Sequence, residues 1–141
     1  MTLIAVLDVN ILASAAVSEQ GLPRVVVRTG LRRHYRLATS AHILRKLSDT
    51  LQKPYFAERL STTDREEYIR LIVSRSRHYQ PDPSIRGVAP DAEDDLVLGT
   101  AVRAQADFLV TGDKALLALG HYGDIRIVTA EEFLMHLESM A

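Results

Sequence analysis

No cysteine occurs in the 141 residues. Disulfides and thiolate metal sites are thereby excluded, and any metal must be held by oxygen or by histidine. No run approaches the roughly 20 apolar residues of a membrane helix. The short apolar stretch near the start has no basic segment ahead of it, so it does not read as a signal peptide. Neither glycine-rich phosphate loop, GxGxxG or GxxxxGK[ST], is present. His34, His42, His78, His121 and His136 show no metal-ligand spacing, and none pairs with a nearby serine in a nucleophilic arrangement. No internal repeat or long linker divides the chain. What is left is an ordinary globular composition, 47% hydrophobic and 25% charged. The expectation is one domain over residues 1–141, soluble and cytoplasmic, with no membrane contact.

Charge is unevenly spread along the chain. Residues 1–80 carry 13 Lys/Arg against 7 Asp/Glu, and residues 81–141 carry 4 against 11, so +6 and −7 leave the net −1. This is consistent with a polyanion surface beside a cation-binding centre, and equally with two solvated faces that attract each other on folding.

The most informative stretch is Leu3-Ile4-Ala5-Val6-Leu7-Asp8-Val9-Asn10-Ile11-Leu12. An apolar run ending on polar residues suits a strand buried on both faces, as in a parallel sheet. A carboxylate at its end is costly unless something pairs with it, and strand carboxyl ends are where open α/β sheets bind ligands. Asp8 also suits a plain helix N-cap. Residues 23–34 read as a helix with Pro23 near its start, carrying Arg24, Arg28 and Arg32 on one side. That stripe suits a phosphate backbone or a solvated face.

Residues 35–39 suit a short strand, Ser40 an N-cap, and 41–52 a helix that Lys53-Pro54-Tyr55-Phe56 interrupts. Thr63 with Glu66 predicts a capping box, as does Thr129 with Glu132. Residues 79–90 read as loop, 92–105 as helix. Phe108-Leu109-Val110 reads as a second buried strand that ends on Thr111-Gly112-Asp113, and Arg126-Ile127-Val128 as a third. Strands alternating with helices predict a parallel sheet covered on both faces. Right-handed crossovers then bring the strand ends after Leu7 and Val110 to one edge. Asp8, the cluster Asp91-Ala92-Glu93-Asp94-Asp95 and Asp113 fall in that zone. Convergent carboxylates disfavour one another's ionisation and call for a cation; oxygen ligands suit Mg²⁺ or Mn²⁺.

Three segments carry a resemblance: Val6 to Leu12, Asp91 to Ala101, and Ala106 to Leu117. With Thr39-Ser40 and Lys53-Pro54-Tyr55-Phe56 between them, the chain resembles the PIN domain family, in particular its toxin-like subgroup from bacterial and archaeal toxin–antitoxin pairs. The resemblance implies a three-layer α/β/α sandwich with a central, mainly parallel sheet. It also implies a metal-dependent endoribonuclease with an antitoxin partner and a homodimeric assembly. It puts the family's metal-binding acids on Asp8, Asp94 and Asp113. Asn10 and Thr111 fall on supporting positions, with Asp95 an adjacent candidate.

One departure stands out. The family's acidic residue on the helix after the second strand is replaced here by Lys46. Asp49, one turn on, is a candidate substitute ligand. Lys46 itself, with Arg24, Arg28 and Arg32, is a candidate RNA contact. Lys46 thus motivates a second reading, a catalytically weakened or inactive interaction protein. A third reading is a haloacid-dehalogenase-like phosphatase with Asp8 as nucleophile. It is disfavoured by Asn10, which cannot do the acid/base work of the second aspartate there.

Overall fold

A computed structural model describes residues 2–140. The opening apolar run forms β1 (Ile4–Leu7), whose last three residues are buried. It is followed by α1 (Val9–Val17), α2 (Leu22–Leu31) and β2 (Arg36–Thr39). Next come α3 (Ala41–Leu51), the short α4 (Pro54–Ala57), α5 (Thr62–Arg75) and β3 (Arg77–His78). The chain continues through α6 (Ala92–Ala104), β4 (Phe108–Val110), α7 (Lys114–Leu119), β5 (His121–Tyr122), β6 (Ile125–Val128) and α8 (Ala130–Ser139).

The strands form one sheet in the order β3-β2-β1-β4-β6-β5. All pairings are parallel except that of β5 with β6. β1 lies between β2 and β4, with Val6 opposite both Ala38 and Leu109. This is the mainly parallel α/β architecture expected from the alternation of apolar strands and amphipathic helices. Its core includes the fully buried Val6, Ile43, Leu47, Leu98 and Leu109, side chains whose removal from water stabilises the fold by about 1.5–3 kcal/mol each. Phe133 packs edge-on against Tyr35 and Phe108 at ring distances of 5.0 and 5.4 Å. Tyr35 is buried but satisfied, because its hydroxyl donates to the Val26 carbonyl at 2.7 Å. Gly30 permits that packing; a Cβ there would stand 2.6 Å from the Tyr35 hydroxyl.

Ser40 caps α3, and Thr129 with Glu132 forms the reciprocal capping box of α8. The box predicted at Thr63 and Glu66 does not form. α5 starts earlier, with the Ser61 hydroxyl accepting from the Asp64 amide at 3.0 Å. In Ser61-Thr62-Thr63 every residue can cap, and Ser61 is the one whose backbone is extended at the entry to the helix. The Lys53–Phe56 interruption includes most of the one-turn helix α4, and Pro54 begins it. β3 and β5, two residues each, carry no alternation that sequence reasoning can use.

Candidate active site

Asp8 terminates β1 and begins α1. Its backbone amide still joins the sheet, donating to the Val110 carbonyl at 2.9 Å. Its side chain accepts from the Val9 amide at 2.8 Å, which makes it the N-cap of α1. The other carboxylate oxygen accepts from the Thr111 hydroxyl at 2.7 Å and the Asn10 amide at 3.4 Å. The cap and site readings of Asp8 are therefore compatible: one oxygen holds the helix, the other faces the end of β4.

Thr111 is fully buried and works in both directions, since its hydroxyl also accepts from the Asp113 amide at 3.0 Å. Asn10 spans the same gap, accepting from the Gly112 amide at 3.1 Å. The ends of β1 and β4 are thus tied by side chains beyond the last backbone pair. Asp113 caps α7 through one oxygen, which accepts from the Ala115 and Leu116 amides at 2.7 and 3.3 Å. Its second oxygen makes no hydrogen bond among the described residues.

Asp94 lies in the first turn of α6, half-buried, and its carboxylate has no hydrogen-bond partner among the described residues. Burial, then the charges of Asp113 and Asp8, then Asp91 and Glu93, push its pKa up to about 6. Asp8 is raised as well, chiefly by burial and further by Asp113; its bonds from Thr111 and Val9 and the nearby His42 oppose the rise. The charge of Asp113 therefore acts on both Asp8 and Asp94, that of Asp8 acts on Asp94, and none of the three is neutralised by an ion pair among the described residues.

The structure separates two neighbours that sequence position cannot. Asp95, expected beside Asp94, is buried and turned away. Its carboxylate accepts from the Gly87, Val88 and Ala89 amides at 2.9, 3.2 and 2.8 Å, so it anchors the 87–89 loop. Lys46 forms an ion pair with Glu93, which precedes Asp94. That partner lies 47 residues away, and the acidic first turn of α6 gave no sign which member would take it. Asp49 is exposed, and its charge acts on Lys46. Arg24 is spent on structure, donating to the Ala15 carbonyl at 3.4 Å, whereas Arg28 and Arg32 are exposed.

Sequence reasoning set His42 aside, but it stands close enough to act on Asp8. Its Nε2 is buried without a partner, as is the Thr39 hydroxyl. Burial is also the main cause that lowers the His42 pKa, which favours the neutral ring. Both groups sit where β2 passes into α3.

Among the described residues, no three Asp, Glu or His side chains stand close enough to enclose an ion alone. Mg²⁺ does not require such a cage. It is held by one or two carboxylates, keeps several waters and meets substrate phosphates. Asp94, free of hydrogen bonds, and the open oxygen of Asp113 next to Asp8 fit that chemistry.

A mainly parallel α/β/α domain with carboxylates gathered at the strand ends is a recognised class. The PIN domain model matches residues 5–115, and the chain belongs to that family. Solved structures with the same fold include PAE2754 from Pyrobaculum aerophilum, with a TM-score of 0.70 and 17% identity, covering 97% of this chain and 90% of that one. VapBC2 from Rickettsia felis, bound to a DNA fragment from its promoter, gives 0.63 and 14%, covering 90% and 98%. FitAcB from Neisseria gonorrhoeae gives 0.58 and 17%, also covering 90% and 98%. A search of curated proteins finds no match. Among the described residues no helix is long and apolar enough to cross a membrane.

Proposed function

We propose that the chain is a metal-dependent endoribonuclease, the toxin of a toxin–antitoxin pair, acting in the cytoplasm as a homodimer. The observation that carries this reading is the uncompensated negative charge of Asp8, Asp94 and Asp113, in which Asp113 raises the pKa of both Asp8 and Asp94 and Asp8 raises that of Asp94. A cation would relieve it, and PIN membership supplies the nuclease context. Similarity to the VapBC2 and FitAcB structures supports the antitoxin partner.

In this reading Asp8 and Asp94 hold Mg²⁺ or Mn²⁺, and Asp113 completes the pocket directly or through water. A bound ion of this kind supplies Lewis-acid stabilisation of phosphate oxygens and a more acidic water. The protein's own part is orientation. Thr111 fixes the Asp8 carboxylate with a 2.7 Å hydrogen bond, and Asn10 ties the end of β1 to Gly112. Lys46, matched by Glu93, does not cancel the charge of Asp8, which weakens the case for an inactive interaction protein. PIN membership also sets aside the phosphatase reading. Exposed Arg28 and Arg32 are retained as RNA contacts.

The test is cleavage of single-stranded RNA in Mg²⁺ or Mn²⁺ by the wild type and by Asp8→Asn. Metal-dependent cleavage by the wild type alone is expected. Equal cleavage by both would remove Asp8 from the mechanism.

A further inference from the structure

At the opposite edge of the sheet, the amino ends of β2 and β3 border a cavity of about 380 Å³. Four arginines line it: Arg33 from the α2–β2 connection, Arg36 at the start of β2, Arg75 at the end of α5 and Arg77 at the start of β3. No acidic residue lines it, and none of the four forms an ion pair among the described residues. Ser74 and Ser76 also border it but donate their hydroxyls to the Leu71 and Ile72 carbonyls. The free donors facing the cavity are therefore mainly guanidinium groups.

Two of the arginines are held in place by the fold. Arg75 donates to the Leu31 carbonyl at 2.8 Å, which fastens the end of α5 to the end of α2. Arg33 occupies a left-handed conformation, φ 63°, at the residue where α2 terminates. The helix closes through Arg33 N–H to Gly30 (2.9 Å) and His34 N–H to Thr29 (3.1 Å). Glycine fills that position with least strain, yet this chain places a cation there. Like charges gathered in one cavity repel, and a ligand dense in negative charge would offset what solvent leaves of that repulsion.

We propose that this cavity is a binding site for phosphate groups, distinct from the carboxylate edge. Guanidinium forks match phosphate oxygens in pairs. One phosphate carries up to two charges in a small volume, which isolated carboxylates on a peptide do not. Its source is either a polynucleotide backbone or a free phosphorylated small molecule, and the two are separable by experiment. The inference does not depend on the nuclease reading.

Binding is measured in EDTA, where metal-dependent cleavage cannot intervene, by calorimetry with pyrophosphate and by fluorescence anisotropy with a short single-stranded RNA. The wild type is compared with Arg75→Ala/Arg77→Ala and with Arg103→Ala/Arg126→Ala, two arginines outside the cavity and outside the proposed RNA contacts. All four side chains are exposed, and unchanged melting temperatures verify the fold. At least ~10-fold weaker binding in the first variant only is expected, since two charge-assisted hydrogen-bond donors to phosphate are removed. Weakening in the RNA arm, with a salt slope smaller by about 0.7 per lost contact, identifies a polynucleotide. Weakening in the pyrophosphate arm alone identifies a small molecule. If neither probe binds, or both variants lose affinity equally, the site does not exist.

Discussion

At the carboxyl ends of β1 and β4, Asp8 is 5% exposed and accepts three hydrogen bonds. At the amino ends of β2 and β3, Arg33, Arg75 and Arg77 are exposed around an open cavity. Both edges of the sheet concentrate charge of one sign, but by different means. The acidic edge buries its charge and fixes it through Thr111 and Asn10, so its protonation is coupled to the fold and to any cation. The basic edge leaves its charge in water, where solvent screens part of the repulsion. Fixed and desolvated charge suits chemistry; solvated charge suits reversible binding. The charge imbalance along the chain maps onto this division. The four cavity arginines come from the basic half, and Asp94 and Asp113 come from the acidic half. Asp8 is the exception, carried to the acidic edge by the direction of β1.

The sharpest way to break the comparison is to remove charge from each edge in turn. Asp8→Asn should lower metal-dependent RNA cleavage by more than about 100-fold, because even groups that only orient a metal ligand are worth roughly 10–100-fold. Arg75→Ala/Arg77→Ala should leave cleavage of a dinucleotide unaffected, since it lies at the other edge. Initial rates on the two substrates separate these outcomes.

Thr111→Val comes next. It removes the 2.7 Å bond to Asp8 and the acceptor of the Asp113 amide. A drop of about 10–100-fold in metal affinity is expected. Denaturant unfolding should also show a loss of about 1 kcal/mol from the unpaired, half-buried Asp113 amide. If affinity is retained while stability falls, Thr111 is only structural.

The pH dependence is smaller. Asp94 has a folded pKa of about 6, above the ordinary unfolded carboxylate value of about 3.9. Between these values the folded state holds the proton more tightly, so metal-free stability falls as pH rises through the window. After allowance for solvent screening of this half-buried group the change is about 1 kcal/mol. Asp94→Asn should flatten the profile. In the opposite direction, metal affinity of the wild type should rise as pH passes about 6, because protons and metal compete for the carboxylate.

The smallest expected effect is that of the half-exposed Lys46–Glu93 pair. Lys46→Ala should change stability by no more than about 1 kcal/mol, measured by chemical denaturation. A larger loss would mean that Lys46 neutralises the buried acids after all.

Much of the acidic edge was legible in the sequence because it depends on strand ends. Apolar runs locate β1 and β4, and right-handed crossovers put their ends together, so Asp8, Thr111 and Asp113 could be named. The division of labour in Asp91–Asp95 was not legible. Successive helical residues point about 100° apart, and only tertiary contacts decide that Asp94 meets the acids, Asp95 holds a loop and Glu93 meets Lys46. The basic cavity was hidden for a similar reason. Arg33 and Arg75 are 42 positions apart, and β3 is too short to announce that the end of α5 returns to the sheet. Periodicity on α2 marks Arg24, Arg28 and Arg32, with Arg33 and Arg36 following them, but no such pattern marks Arg75 and Arg77 as their neighbours.

The central claim is that the acids at the ends of β1 and β4 and at the start of α6 form a cation site. Calorimetric titration with Mn²⁺ near pH 7 tests it directly on the wild type and on Asp8→Asn/Asp94→Asn. Saturable binding by the wild type, lost in the double variant, is predicted. No binding by the wild type at millimolar Mn²⁺, or equal binding by both proteins, would contradict it.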